Sequence, residues 1–203
     1  FDPSGGVHVL AGTTSQGQGL ETTMAQVVAA ELGVSYDDVT VEMGDTDRIQ
    51  FGLGAFASRQ GVIGSGAATV AARAAKAKLL RIAAHMMDAD PEWLSIDAGF
   101  VHTADAPAVG VTVAEVCLVA FMEPHRLPPG EEPGLEATRF YDPITGTFAA
   151  GAQAAVAEVD AETGFVAVRT IVVVEDSGRM INPMIVEGQV QGALAQGIGG
   201  ALY

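Results

Sequence analysis

Short apolar runs alternate with longer amphipathic stretches over the first half of the chain. Val7–Ala11 and Val39–Met43 have the length and apolar character of strands. Between them, Leu20–Leu32 has the periodicity of a helix, and Gly33 provides the stop signal. This order predicts a β-α-β unit. An alanine-rich stretch then predicts a long helix from Ala67 to Met87.

The middle of the chain predicts smaller elements. Trp93–Ile96 and Gly99–His102 indicate a short hairpin. The sequence Thr-Val-Ala-Glu at Thr112 is a capping-box pattern, so a helix is expected from there through Phe121.

The last third combines period-2 alternation with a final helix. Leu135–Tyr141, Ala152–Asp160 and Phe165–Glu175 are predicted strands, the last two joined by a turn at Glu162-Thr163-Gly164. Ile185–Leu202 is predicted to be a helix despite its glycines, each of which costs about 1 kcal/mol relative to alanine. Close approach of a ligand or of another backbone would explain their number.

These elements predict an α+β fold with two α/β-containing subdomains. The proline-rich segment 124–134 is expected to be a linker or surface loop between a first subdomain, 1–123, and a second, 135–203. The chain starts without methionine and ends inside an apolar helical pattern, which predicts a piece of a longer polypeptide.

Composition narrows the classes of function. The formal charge of −15, from 25 acidic and 10 basic residues, argues against nucleic acid as a partner, and no apolar run reaches the roughly 18 residues of a membrane span. The single cysteine, Cys117, excludes an internal disulfide and a cysteine-ligated iron–sulfur cluster held by this chain alone, which fits a cytoplasmic setting. The four histidines have no metal-ligand spacing, and no metal site is predicted.

Two glutamine-glycine stretches carry the candidate chemistry. Gln16–Gly19 lies between the first predicted strand and helix, and Glu187–Gly192 lies in the last predicted helix. Glycine lets backbone N–H groups approach a ligand closely, a helix N-terminus favours negative charge, and glutamine both donates and accepts hydrogen bonds. Together they predict a pocket for a large, polar, phosphorylated cofactor.

Each candidate also has a purely structural interpretation. Arg59 could pair with a nearby carboxylate, and Asp176-Ser177-Gly178 is a common turn signature. Gln16 and Gln18 could be exposed loop residues, and Gln189 could bond only to its helical neighbours.

Five motifs occur in an order and spacing similar to those of a known family. They are Gly12–Thr23, Gly44–Thr46, Ala57–Arg59, Glu175–Pro183 and Val186–Tyr203. With these motifs the chain resembles the molybdenum-cofactor-binding large subunit of the xanthine dehydrogenase and aldehyde oxidase family, in particular its carbon-monoxide-dehydrogenase-like bacterial branch. The similarity extends over essentially the whole chain.

The resemblance implies a molybdenum-dependent oxidoreductase that, when complete, hydroxylates an aldehyde, N-heterocycle or carbon-monoxide-like substrate with oxygen from water. It implies molybdopterin cytosine dinucleotide as the cofactor. It also implies iron–sulfur clusters and FAD in other domains or subunits, and hence a hetero-oligomer. The alternative is a non-catalytic cofactor-binding or assembly module, or a degenerate paralogue.

The resemblance also implies roles for individual residues. Gln16, Gly17, Gln18 and Gly19 would line the pterin and diphosphate. A second glycine-rich loop would place Ala57, Ser58 and Arg59 on the cofactor side. Asp176 and Asn182 would lie near the nucleotide, and Gln189 near the pterin dithiolene. No catalytic residue is expected within the chain, because the family's general-base glutamate would lie beyond Tyr203. Position 20 is Leu where the carbon-monoxide-oxidising branch often has His, and Phe148–Gln153 also departs from the family pattern, so the substrate stays open.

Overall fold

The predicted β-α-β unit is present at the start of the chain. Strands β1 (Val7–Ala11) and β2 (Val39–Met43) are parallel, in register from Val7 opposite Val39 to Ala11 opposite Met43. Helix α1 (Leu20–Leu32) connects them and ends at Gly33, which has a φ of 77°. A Cβ at Gly33 would overlap the carbonyl oxygen of Ile96, so this position requires glycine both for its left-handed backbone and for space.

Helix α2 (Ser65–Met87) packs against α1. Small residues of α2, Ala68 and Ala72, lie in one buried cluster with Met24 and Val28 of α1. Alanine allows two helix backbones to approach closely, which explains the alanine-rich sequence. A π-helical segment, Gln60–Gly64, precedes α2, and such segments often occur at functional sites.

The predicted hairpin belongs to a three-stranded antiparallel sheet. Its strands are β3 (Leu94–Asp97), β4 (Phe100–Thr103) and β5 (Ala106–Thr112), in that order. Strand β5 was not predicted, because Pro107 and Gly110 weaken the strand signal in its sequence. Helix α3 (Val113–Met122) follows, and its capping box is confirmed: the Thr112 hydroxyl accepts from the Glu115 N–H at 3.1 Å. The larger buried core joins α2, this sheet and α3.

The strand predicted over Leu135–Tyr141 was wrong. These residues, which we call the strap, have no strand partner and are mostly exposed. Only tertiary structure decides whether an apolar alternating segment finds an edge to pair with. The strap is anchored at its start, where Leu135 is fully buried and the Gly134 N–H donates to the carbonyl oxygen of Ala120 at 2.8 Å.

The structure, a computed structural model, describes residues 1–203 and divides them into two compact units, Phe1–Pro143 and Ile144–Tyr203. The division lies after Pro143 rather than within 124–134. The proline-rich segment belongs to the first unit because Arg81 of α2 pairs with Glu131, and the Lys78 ammonium donates to the carbonyl oxygen of Glu132 at 2.7 Å.

The second unit consists of a hairpin and a helix. Strands β6 (Ala150–Val159) and β7 (Val166–Asp176) pair antiparallel, as predicted, and α4 spans Pro183–Leu202. None of its residues is buried. Of the chain's helices, none combines the length and the apolar character needed to cross a membrane.

Candidate functional site

A cavity of about 120 Å³ opens at the carboxyl ends of the two parallel strands. Loops that follow strand ends converge at this edge of a parallel sheet, which is where ligands bind in open α/β folds. The cavity is lined by Ala11, Gly12, Thr13, Thr14, Gly44, Asp45, Thr46, Ile49, Gly52 and Gly54. Three separate stretches of chain therefore build one depression.

Two glycines allow two loops of the cavity wall to approach each other closely. A Cβ on Gly12 would overlap the carbonyl oxygen of Phe51, and one on Gly52 would overlap the carbonyl oxygen of Gly12. The backbones cross at a distance that no other residue permits. This crossing fixes the loop after β1 against the glycine-rich loop that follows β2.

Thr13 is the most buried polar residue of the cavity wall. Its backbone N–H donates to the Ala11 carbonyl oxygen at 2.8 Å, which folds the chain back at the strand end. The side chain is only 5% exposed, and its hydroxyl oxygen has no hydrogen-bond partner in the chain. An unpaired buried hydroxyl is costly, and this one belongs to a residue of the cavity wall.

The loop after β2 forms a second polar wall. Gly44 turns the chain with a φ of 76°, and the Asp45 carboxylate accepts from the Asp47 N–H at 2.9 Å. The Asp45 carbonyl also accepts from the Ile49 N–H at 3.1 Å. These bonds hold Gly44–Thr46 in place at the cavity.

Gln16–Gly19 forms the approach to α1. The Gln16 N–H donates to the Gln18 side-chain oxygen at 2.6 Å, while Gly17 and Gly19 have φ values of 90° and 73°. No side chain caps the N-terminus of α1 at Gly19. The first-turn N–H groups therefore keep the capacity to bind a negatively charged group.

Ala57 and Ser58 have a backbone conformation that is rare for non-glycine residues. Their φ values are 52° and 51°, and the Arg59 N–H donates to the Phe56 carbonyl oxygen at 3.3 Å, as in a type I′ turn. Both residues are exposed, so no buried packing compensates the strain, which is about 1–3 kcal/mol per residue. Backbone strain of this kind is concentrated at binding sites.

The Arg59 guanidinium has no carboxylate partner in this acidic chain. It lies over the Phe56 ring, 4.8 Å from the centroid, in a cation–π contact. The alternative interpretation, a simple ion pair, does not apply in this structure. Its charge is therefore not neutralised by an internal acid.

The remaining predicted residues lie in the second unit, around the start of α4. The Asp176 carboxylate accepts from the Gly178 N–H at 3.0 Å, which is the turn interaction considered as its structural interpretation. The Asn182 side-chain oxygen caps α4 by accepting from the Ile185 N–H at 3.2 Å. Gln189 is exposed in the second turn of the same helix.

The structure thus places the predicted residues in three groups. Gln16–Gly19 and Ala57–Arg59 belong to the two loops that cross at Gly12 and Gly52, but they do not line the cavity. The residues that line it, including Thr13 and Asp45, were absent from the predicted site. A signal was available, because each directly follows one of two adjacent parallel strands.

Reactive side chains elsewhere in the chain form no second site. Burial raises the pKa of the Cys117 thiol to about 12, so this cysteine is an inert core residue at neutral pH. No group of three or more His, Cys, Asp and Glu side chains is arranged to hold a metal ion.

Comparison with known proteins gives a match over the whole chain. The model of the family described as "Molybdopterin cofactor-binding domain" matches residues 1–203. The nicotine 6-hydroxylase large subunit of Paenarthrobacter nicotinovorans is 39% identical over 100% of the chain and 25% of its own length. The carbon monoxide dehydrogenase large chain of Afipia carboxidovorans is 41% identical over 96% of the chain and 24% of its own length.

A solved structure gives the same result for the fold. Quinoline 2-oxidoreductase from Pseudomonas putida 86 superposes with a TM-score of 0.91 at 44% identity, covering 98% of this chain and 25% of that one. The chain therefore spans about a quarter of the length of the relatives that it matches.

Proposed function

The chain belongs to the family of molybdopterin cofactor-binding domains, and from this premise we propose that it forms part of the molybdenum-cofactor site of a hydroxylase large subunit. The observation that carries the proposal is the match of one family over residues 1–203. The relatives include molybdenum-binding subunits of xanthine dehydrogenase and carbon monoxide dehydrogenase large chains, so the proposed class is molybdenum-dependent oxidoreductase.

The residues at the two crossed loops fit a large phosphorylated cofactor. Four of the ten residues that line the cavity are glycines, which let a ligand approach the backbone closely, and Thr13, whose hydroxyl is unpaired, also lines it. The same two loops carry the N-terminus of α1, which no side chain caps, and the Arg59 guanidinium, which has no carboxylate partner. Donors of this kind suit a diphosphate and a pterin ring.

We assign the binding roles accordingly. Gln16, Gly17, Gln18 and Gly19 would bind the pterin and diphosphate through amide groups and backbone N–H donors, and Arg59, held by the Ala57-Ser58 turn, would pair with the diphosphate. Asp176 and Asn182 would face the nucleotide, and Gln189 would donate toward the ligands of the metal. The form proposed is the cytosine dinucleotide.

When bound, the cofactor would supply the redox chemistry for hydroxylating an aldehyde, N-heterocycle or carbon-monoxide-like substrate with oxygen from water. The chain itself would bind and orient the cofactor. The general base is proposed to be a glutamate outside these 203 residues. Iron–sulfur and flavin subunits or domains are the proposed electron-transfer partners.

Two substitutions in the full-length protein test the assigned roles. Arg59→Ala and Gln189→Ala are each expected to lower molybdenum content several-fold, because each removes a hydrogen-bond donor to the cofactor. Molybdenum is measured per purified large subunit by elemental analysis. Matched controls are Arg73→Ala, an exposed arginine paired with Glu31, and Gln196→Ala, an exposed glutamine of the same helix as Gln189.

Wild-type molybdenum content in both test variants would contradict these roles. A protein that retains the cofactor but oxidises none of the proposed substrates would instead favour the non-catalytic binding module.

A further inference from the structure

The strap, Leu135–Tyr141, connects the hydrophobic core of the first unit to the glycine-rich loop. Leu135 at its start is fully buried between α2 and α3. Phe140 and Tyr141 at its end are exposed, yet both contact the segment that contains the strained turn. A segment that is buried in the core at its start and contacts a loop at its end can restrict the motion of that loop.

The first contact is between two phenylalanine rings. The Phe140 and Phe51 centroids are 6.2 Å apart with the rings tilted by 60°, a geometry favourable for aromatic pairs. Phe51 directly precedes Gly52, where the glycine-rich loop crosses the loop after β1. The Phe140 ring therefore lies against the start of the glycine-rich loop.

The second contact is at the other end of the same loop. The Tyr141 ring occupies the space where a Cβ on Gly66 would lie. Gly66 is in the first turn of α2, just after the π-helical segment. Tyr141 therefore needs glycine at this position, and its ring packs on the helix start into which the loop leads.

The two contacts enclose the residues that most need external support. Between Phe51 and Gly66 lie the Ala57-Ser58 turn with its left-handed backbone, Arg59 and the π-helical segment Gln60–Gly64. No residue of this interval before Ser65 is buried. Strained conformations persist only where the surrounding structure determines them.

We propose that Phe140 and Tyr141 are positioning residues that hold the glycine-rich loop, and with it Arg59, in its binding conformation. Neither residue needs to touch a ligand, because each acts through a residue that it contacts, Phe140 through the Phe51 ring and Tyr141 through the helix backbone at Gly66. The consequence for cofactor retention rests on the function proposed above, whereas the effect on the loop does not.

Hydrogen exchange on the cofactor-free full-length subunit tests the effect on the loop. In Phe140→Ala and Tyr141→Ala, amides of residues 52–64 are expected to exchange about three- to tenfold faster than in the wild type, because one aromatic contact no longer opposes local opening. The melting temperature should stay unchanged, since both side chains are exposed. Phe140→Tyr keeps the ring and should restore slow exchange.

Two further variants provide a test of the Tyr141 contact and a control. Gly66→Ala would favour the helix by propensity but displace the Tyr141 ring, so faster exchange of 52–64 is expected despite the better helix former. Trp93→Ala truncates another exposed aromatic of the same unit that has no ring contact with the loop, and should leave exchange of 52–64 as in the wild type.

A second measurement separates this inference from the proposed function. Molybdenum loss during dialysis of the loaded subunit should be faster in Phe140→Ala and Tyr141→Ala. Unchanged exchange of 52–64 in both variants would overturn the positioning role. Faster exchange with unchanged molybdenum retention would leave the positioning role standing and contradict the assignment of this loop to the cofactor.

Discussion

At the residue scale, the cavity wall includes a threonine whose hydroxyl has no hydrogen-bond partner in the chain. The Thr13 Oγ1 atom is buried without a hydrogen-bond partner, as is the Ser65 Oγ atom outside the cavity. Desolvating a hydroxyl without pairing it costs about 1–3 kcal/mol. The chain tolerates this cost at a strand end where its backbone builds a ligand-sized depression.

We expect Thr13→Val to weaken cofactor binding without lowering the stability of the cofactor-free protein. The substitution keeps the shape and removes the unpaired hydroxyl, so the free energy of unfolding of the cofactor-free protein should be unchanged or higher by up to about 1 kcal/mol. Cofactor affinity should fall about tenfold, because one hydrogen bond to the ligand is lost. Urea unfolding and molybdenum content of the full-length protein measure the two effects.

Ser65→Ala is the matched control, because it removes the other unpaired hydroxyl outside the cavity. It should stabilise in the same way and leave molybdenum content unchanged. If Thr13→Val retained the wild-type content, Thr13 would have no role in binding.

Only some of the residues at the candidate site could be predicted from the sequence. Gln16–Gly19 were predicted from their residue types and Arg59 from the family resemblance, and their role in a binding site stays a prediction. Thr13 was missed although its position just after β1 offered a signal, whereas the missing partner of its hydroxyl is a property of the folded surroundings. The crossing of Gly12 and Gly52 joins residues far apart in the chain and is likewise not visible locally.

At the element scale, local signals predicted most of the helices and strands correctly. The β-α-β unit, the capping box at Thr112 and the hairpin of β6 and β7 each follow from periodicity or from a short capping or turn motif. The strap did not, because an apolar segment becomes a strand only where an unpaired edge is available. Its last two residues contact the Phe51 ring and Gly66 instead of a neighbouring strand.

The three-stranded sheet contains a histidine that links pH to stability. The carbonyl oxygen of Thr103 lies 3.0 Å from His102 Nδ1, and the Asp97 carboxylate lies 2.8 Å from Nε2. Both partners are acceptors, so each ring nitrogen can donate only when the ring is fully protonated. The Thr103 carbonyl first, and then the Asp97 carboxylate, raise the pKa of His102 above its ordinary value.

We expect this histidine to stabilise the protein at low rather than high pH. Because its pKa is higher in the folded state, its contribution is complete below the pKa of an unfolded histidine and disappears as pH rises through the folded pKa. The free energy of unfolding should therefore decrease with rising pH across that interval. Denaturant unfolding at a series of pH values measures the slope.

His102→Gln should remove this decrease, since glutamine does not titrate. His125→Gln, at an exposed position in a short 3₁₀ turn, is the control and should retain it. A decrease of the same size in His102→Gln would assign the pH dependence to other groups.

At the scale of the whole molecule, the two units differ in how much core they contain. Phe1–Pro143 holds both buried clusters, whereas Ile144–Tyr203 has no buried residue and exposes Val172 and Val174 on its hairpin. A hairpin and a helix without a core are at best marginally stable alone. We expect the stability of the second unit to depend on contacts within a longer subunit.

The predicted roles of Asp176, Asn182 and Gln189 depend on the assembly of the whole subunit. Their local bonds, a turn and a helix cap, follow directly from sequence. Whether they meet the first unit around one cofactor depends on how the complete subunit assembles, which no local pattern encodes. Their function therefore remains a proposal, tested only in the full-length protein.

The most direct test of the account is the cofactor content of the purified full-length protein. Molybdenum is quantified by elemental analysis, and the nucleotide released by acid hydrolysis is identified by chromatography. The account predicts stoichiometric molybdenum and release of cytidine monophosphate. Protein that is folded and isolated from molybdenum-replete cells, yet holds neither molybdenum nor a pterin, would contradict it.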